Sequence, residues 1–263
     1  MEFIFKPNYG ISDLLEIMRI LRRPGGCPWD REQTHKSIRS NFIEETYEVC
    51  EAIDREDPYM LKEELGDVLL QVVFHAQMES ELGTFDFDAV CDGICKKLIE
   101  RHPHVFGEVR ADTSEQVLDN WEKIKQSSKN QKTATDAIGA VPKQFPSLMR
   151  AQKVQKRAAK FGFEFPDDSQ VFDKIAEEAA EVKNAADEGG KDAVRDEIGD
   201  LLFSVVNLSR RMGVDAEEAL SFSTDKFAGR VADVEKLLSG RNATLSELSA
   251  EEFDELWERV KNS

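Results

Sequence analysis

The same acidic pattern occurs twice in this chain. Glu44, Glu45 and Glu48 are followed by Glu64 and Asp67, and Glu177, Glu178 and Glu181 are followed by Glu197 and Asp200. The offset is constant at 133 residues, from 44 to 177 through 67 to 200. A duplication of that length constrains the fold more than any other feature. Each half carries the full pattern, and 263 residues suffice for two units that bury separate cores. The period is too long, and the copies too few, for a solenoid.

Hydrophobic spacing decides what each unit is made of. Strand signals are nearly absent, and apolar residues recur at three and four throughout. Ser12 is the expected cap of a helix carrying Leu14, Leu15, Ile17, Met18 and Leu21, which Pro24-Gly25-Gly26 breaks. A helix from about residue 34 to 54 presents Ile38, Phe42, Val49 and Ile53 as its buried stripe. Asp57 before Pro58 signals the start of a third helix, which Gly83 stops. A fourth covers about 88–101, and Pro103 interrupts the segment behind it. Thr113 with Gln116 predicts a capping box for a short helix carrying Trp121.

Residues from 126 to about 140 are polar, small and aperiodic, which marks a linker. Helices at about 147–159, 169–186, 192–212 and 215–238 then replay the order, the last stopped by Gly240. Ser249 with Glu252 caps a final helix carrying Trp257. The expected architecture is all-α: two tandem helical bundles over 1–126 and 143–263, joined by a linker at 127–142.

Within a helix, positions three apart share a face. Glu45 and Glu48 are therefore neighbours, as are Glu64 and Asp67. Each pair stands about six residues, roughly 9 Å of rise, from the turn between its helices. A short turn makes those helices antiparallel, so the pairs arrive at one level, and the second half balances in the same way. Leu65, Leu69 and Val72, like Ile198, Leu202 and Val205, are expected to tie this face to the core.

Four ionised carboxylates so placed repel one another and titrate upward if left alone. A hard divalent cation bound through oxygen resolves the conflict. Magnesium shared with phosphate oxygens fits, with manganese as a substitute. A ferritin-like di-iron site is the structural rival, and it needs Glu-x-x-His motifs. No histidine follows these glutamates at that spacing, and all four (His35, His75, His102, His104) lie in the first half. His75 reads as a core or boundary residue, and His102 and His104 as loop residues.

Composition narrows the partners. A net charge of −17 and a pI near 4.8 disfavour nucleic-acid backbones and anionic membrane surfaces. No apolar run approaches the roughly 20 residues that span a bilayer. The first ten residues do not read as a secretory signal, so a cytoplasmic location is expected. Cys27, Cys50, Cys91 and Cys95 match no zinc spacing and are expected to be reduced structural thiols.

Glu-Glu-x-x-Glu followed after fifteen residues by Glu-x-x-Asp resembles the motif of the MazG family of nucleoside triphosphate pyrophosphohydrolases. The segments Gly26-Cys27-Pro28-Trp29-Asp30, Arg101-His102-Pro103-His104-Val105-Phe106 and Leu148-Met149-Arg150-Ala151-Gln152-Lys153 are similar to its two-domain bacterial members. The resemblance implies the all-α pyrophosphatase fold, and magnesium-dependent hydrolysis of nucleoside triphosphates to monophosphate and pyrophosphate. It also implies a homodimer with helices of both subunits around the sites.

Carried over by motif, Glu178, Glu181, Glu197 and Asp200 would hold the metal in the second copy, and Glu45, Glu48, Glu64 and Asp67 in the first. Lys226 and Arg230 would meet phosphate, Trp257 would lie near the base, and Lys174 and Lys261 would add cationic contacts. Lys97, Arg101, Trp121 and Lys125 repeat that spacing in the first copy. Glu177, and Glu44 in the first copy, are the expected groups to orient or deprotonate the attacking water. Two departures stand out. Asn41 replaces the lysine of position 174 in the first copy, and Ala193 stands where the family can place a lysine, leaving Lys191 or Arg195 as its substitute. Two alternatives stay open: a nucleotide sensor without turnover, and a narrower pyrophosphohydrolase for phosphoribosyl-ATP or deoxynucleotides.

Overall fold

A computed structural model describes residues 3–128, 133–188, 190–239 and 248–262. Every regular element among them is a helix. The chain divides into two compact units, Met1–Lys125 and Gln126–Ser263.

The first unit opens with α1 (Ile11–Arg22) and the short α2 (Pro28–Glu32), then α3 (Arg39–Asp54) and α4 (Pro58–Leu82). It continues with α5 (Phe87–Arg101) and α6 (Pro103–Phe106), and α7 (Ser114–Ser128) crosses its boundary at Lys125. Helices α3 and α4 form a hairpin whose tight turn puts Glu56 at φ 51, in the left-handed region. Asp57 then caps α4, its Oδ1 accepting from the Tyr59 and Met60 amides at 2.9 and 3.1 Å. The core gathers Met18, Ile38, Val73, Phe74 and Met78, with Leu14, Leu15 and Leu70 packed against them.

The second unit comprises α8 (Ala134–Gly139), α9 (Ser147–Ala159), α10 (Asp168–Glu188), α11 (Lys191–Arg211), α12 (Ala216–Ser239) and α13 (Ala250–Lys261). Helices α10 and α11 repeat the hairpin, and α9 packs against both α11 and α12. Val234 and Leu238 of α12 form a core with Leu256 and Val260 of α13. Ser249 and Glu252 make the expected capping box, at 2.9 and 3.2 Å.

Several expectations are corrected. Gly10, not Ser12, precedes α1, and its N–H donates to Asp13 Oδ2 at 3.0 Å, so the first turn is closed from inside the helix. Residues 34–38 form turns before α3 rather than its first turn. Ile53 is exposed while Ala52 is buried, because the stripe facing α4 shifts by one position near the helix end. The linker expected over 127–142 is helical in part: Thr133 and Asp136 form a capping box that opens α8, and Ala137 and Val141 are buried. Arg157 donates to the Ala137 carbonyl at 2.5 Å, fastening that stretch to α9. Residues 129–132 of that linker, and the stop expected at Gly240, lie outside the described residues. His104 belongs to α6, and His102 rests edge-on against Trp121 at 4.8 Å.

The largest correction concerns the apolar side of the acidic hairpins. Leu65 and Leu69 are exposed, and so are Ile198, Leu202 and Val205. They do not tie the motif helices to the core of this chain; burial sets in one turn farther along each helix, at Val73 and Val206. The four cysteines are free thiols. No described helix is long and apolar enough to cross a membrane.

Candidate active site

The hairpins bring the acidic residues together as the depth argument requires. In the first unit Glu45 and Glu48 of α3 meet Glu64 of α4, with one carboxylate oxygen from each inside 4.8 Å of the others. In the second, Glu178 of α10 meets Glu197 and Asp200 of α11 within the same limit. The fourth member differs between copies. Asp67 falls outside its group and Glu181 outside the other, although each is felt electrostatically by it.

Burial, then the charges of Asp67, Glu48, Glu64 and Glu44, pushes the Glu45 carboxyl above its ordinary range. Burial and then Glu48 raise Glu64. Glu181 is raised by burial, then by Glu178 and Glu197. Desolvation first, and mutual repulsion second, are what carboxylates gathered this closely are expected to show.

Lys174 distinguishes the second copy. Its ammonium lies 2.9 Å from Glu177 Oε1 and 2.7 Å from Glu178 Oε1, and those two partners, Glu178 foremost, raise its pKa. Glu178 is only 4% exposed, and its other oxygen, Oε2, is buried with no hydrogen-bond partner among the described residues. A buried carboxylate oxygen left unpaired is costly, and a divalent cation is the partner that an all-oxygen cluster accepts. The residues present therefore fit such an ion.

The remaining expected site residues stand apart from these clusters in their contacts. Arg195 is exposed and pairs with Asp192 and Asp196, at 3.1 and 3.7 Å. Lys226 lies over the Phe222 ring at 5.5 Å, and Lys261 pairs with Glu258 at 2.6 Å. Arg230 is half-buried, and Trp257 packs between Phe227 and Phe253 at 5.4 and 5.7 Å. In the first unit Lys97 is exposed, whereas Arg101 is buried over Trp121 at 5.3 Å, leaving Nε without a partner among the described residues. Lys125 is half-buried on α7. Glu44 and Glu177 are exposed beside their clusters, Glu177 through its bond to Lys174.

Sequence spacing missed the fastening of the loop before α10. Glu164 accepts from Arg210 and Arg211, at 2.5 and 2.8 Å, and Arg211 also reaches Asp168 at 2.5 Å. Burial pushes the Glu164 carboxyl up, but the two guanidiniums together hold it below its usual range. Adjacent arginines near a helix end are the only linear signal of this clamp.

The MazG nucleotide pyrophosphohydrolase domain matches twice, over residues 33–106 and 168–234. This chain belongs to the MazG family. It is 46% identical over 254 residues to a nucleoside triphosphate pyrophosphohydrolase of Escherichia coli (strain K12), covering 95% of this chain and 97% of that protein. The nucleoside triphosphate pyrophosphohydrolase/pyrophosphatase MazG of Thermotoga maritima is 45% identical over 250 residues, 95% of either chain. The uncharacterised protein YabN of Bacillus subtilis is 42% identical over 253 residues, 96% of this chain and 52% of its own. Each MazG match encloses one acidic hairpin, and both stop short of the tryptophan helices α7 and α13.

Proposed function

We propose that this MazG-family chain hydrolyses nucleoside triphosphates between the α- and β-phosphorus, releasing nucleoside monophosphate and pyrophosphate. One observation carries the reading: Glu178, Glu197 and Asp200 converge, with Glu178 Oε2 buried and without a partner among the described residues, and the first half gathers its own trio, Glu45, Glu48 and Glu64. The names of the relatives from Escherichia coli and Thermotoga maritima support the same reaction class.

In this reading Glu178, Glu181, Glu197 and Asp200 hold magnesium or manganese, as do Glu45, Glu48, Glu64 and Asp67. Bound there, the ion would neutralise triphosphate charge where it develops in the transition state. Glu177, or Glu44, accepts the proton of a water whose oxygen attacks the α-phosphorus. The bond from that phosphorus to the bridging oxygen breaks, and pyrophosphate leaves with the electron pair. Lys174 gives up Glu177 as phosphate arrives, freeing a base and supplying a counter-charge in one movement. Lys226, Arg230, Lys261 and Arg195 serve as further phosphate contacts. Lys97, Arg101 and Lys125 do so for the first copy, with Trp257 and Trp121 near the base.

Apart from Arg195, these cations stand on helices other than the acidic hairpins. A second copy of the chain, covering the exposed Leu65–Leu69 and Ile198–Val205 faces, would bring them in. A homodimer, acting in the cytoplasm, is therefore part of the proposal. The test is pyrophosphate release, with magnesium present, from wild type, Glu45→Gln, Glu178→Gln and the double variant. The double variant is expected to lose all measurable release while keeping its helix content. Full release from a folded double variant would sink the reading.

A further inference from the structure

Carboxylates midway along an antiparallel helix pair stay level only if the pair is held at both ends. In the second copy, the end away from the α10–α11 connection is closed by ions. Asp168, at the start of α10, accepts from Arg211 Nε of α11 at 2.5 Å, and Glu164 just before it accepts from Arg210 and Arg211. Beside them Gln155 donates to the Phe203 carbonyl at 2.7 Å, next to a slot walled by Phe163, Phe165 and Phe203. A carboxylate and a guanidinium keep their charges throughout the neutral range.

The first copy closes the same end with imidazoles. His35, in the turns before α3, and His75, on α4, stand 133 residues before Asp168 and Leu208. Their rings lie within 6° of parallel with centroids 4.9 Å apart, and Nδ1 meets Nδ1 at 2.6 Å. Such a contact needs a hydrogen on one nitrogen and a free lone pair on the other. With both rings charged, two N–H groups and two positive charges would face each other across it. The pair therefore holds one proton between its rings and has no room for a second.

The surroundings set the order of protonation. His35 Nε2 lies 2.8 Å from Glu79 Oε1, so a charge on His35 has a counter-ion. The Thr84 hydroxyl, and then His35, hold the Glu79 carboxyl below its usual range. Burial, and then the charge of His35, hold His75 below the ordinary histidine value. Helix α3 meets His75 with Phe42, ring centroids 5.9 Å apart. On α1, Arg19 pairs with Glu16 and Arg22 with Glu81 of α4, and Lys96 of α5 pairs with Asp92. Lys36 and Arg39 are exposed. His35 is thus the cation that His75 meets.

This contact reaches the acidic trio through one helix. Ile38, three residues past His35, is buried with Val73, Phe74 and Met78, and its carbonyl accepts from the Phe42 amide at 3.3 Å as α3 begins. Glu45 and Glu48 follow on α3, two to three turns farther on, about 10–15 Å of rise. The turn at Glu56 holds the other end of the hairpin. Losing the histidine contact would leave α3 fastened firmly at that turn and more loosely where the chain enters it.

We propose that His35 and His75 are positioning residues of the first copy: sharing one proton they hold Glu45 and Glu48 level with Glu64, and a second proton releases them. The first copy then loses its hold on the metal in mild acid, whereas the second, closed by Asp168 and Arg211, keeps its own. The inference rests on the metal reading proposed above. Its sign follows from the chemistry of the pair. A histidine depressed in the native state contributes stability above its ordinary value, about 6.5, and loses it as pH falls through that value.

Two measurements on the full chain test this, and neither reads pyrophosphate, so a failure of the hydrolysis is seen separately. NMR of the imidazole nitrogens in wild type follows both rings from about pH 8 to 5. One ring is expected to charge first, the second only below about 6.5, with the amides of residues 38–48 shifting alongside that second proton. Independent titration of both rings near 6.5, or amides that stay put, overturns the proposal.

The second measurement is magnesium affinity of the first copy, by calorimetry, with the second copy silenced by Glu178→Gln and Asp200→Asn. His75→Asn keeps a polar group near Nδ1 that takes no proton, and His75→Leu copies the residue at position 208. His75→Leu is expected to weaken binding about fivefold or more near neutral pH. Between about pH 7.5 and 5.5 wild type should lose about fivefold more affinity than His75→Asn, because protonation of the carboxylates is common to both. An equal decline in the two, or His75→Leu binding as wild type does, overturns the proposal. Absence of magnesium binding in this background would remove the metal reading of the first copy, and the positioning role with it.

Discussion

At position 174 a lysine stands where the first copy has Asn41, and this single difference changes the electrostatics of an otherwise repeated site. The Lys174 ammonium partly occupies the role of a metal for Glu178, whereas no ion pair of the Glu45 group is seen among the described residues. Lys174→Met is therefore expected to lower the thermal midpoint of the metal-free protein, and saturating magnesium should restore it, as calorimetry would show. Equal deficits with and without metal would refute that role. The raised carboxyls give a pH dependence with a definite sign. Glu45, Glu64 and Glu181 take up protons above the ordinary glutamate value near 4.3, so in that window the metal-free native state binds more protons than the unfolded chain. Their contribution to metal-free stability grows as pH falls through the raised values and is lost as pH rises. A divalent ion must displace those same protons. The magnesium-induced rise in midpoint should accordingly shrink as pH falls from neutrality toward that window, and a constant rise would contradict the assignment. The acidic residues themselves were legible, because two pairs at helical spacing repeat at one offset. Which three of each four converge was not, since Asp67 and Glu181 drop out through side-chain placement that spacing does not specify.

On the scale of the helix, the hairpin turn sets the site. Glu56 in the left-handed region and Asp57 as cap define where α4 starts, and hence that Glu64 stands level with Glu48. Asp57→Ala should cost about 1 kcal/mol, the usual worth of an N-cap, read as a lower denaturant midpoint. Asp57→Asn should retain most of it, and equal losses in both would show that the cap is not the cause. Long helices were readable because a period of 3.6 needs several turns to declare itself. The short α2, α6 and α8 did not, being four to six residues each. For α8 a signal did exist, the Thr133–Asp136 pair, inside a stretch whose polarity hid it. The Gln155 amide belongs to the same class. Nothing in a polar residue on α9 announces a buried acceptor until Phe203 is seen to hold its other end.

For the whole chain, apolar exposure is the outstanding fact. Leu65, Leu69, Ile198, Leu202 and Val205 lie on the outward sides of the two hairpins, where a monomer gains nothing from them. Leu202→Asp and Leu69→Asp are expected to shift sedimentation toward the monomer and to reduce pyrophosphate release together. A folded variant that stays associated would remove the homodimer from the proposal. Within the first unit, Met18→Ala should cost about 2–5 kcal/mol, because Met18 is fully buried against α4. Calorimetry that resolves two transitions should show the loss in only one of them. The sequence by itself determined that the chain is helical, that it is built twice, and that each copy sets carboxylates on neighbouring helices at one depth. Periodicity and capping are local properties, written in runs of adjacent residues. Only the tertiary structure decided which faces are buried, which carboxylates come together, and that Gln155 and Arg210 meet Phe203, Glu164 and Asn207 beside an aromatic slot. Those depend on how side chains from distant segments meet, and no spacing along one chain encodes the space left between them.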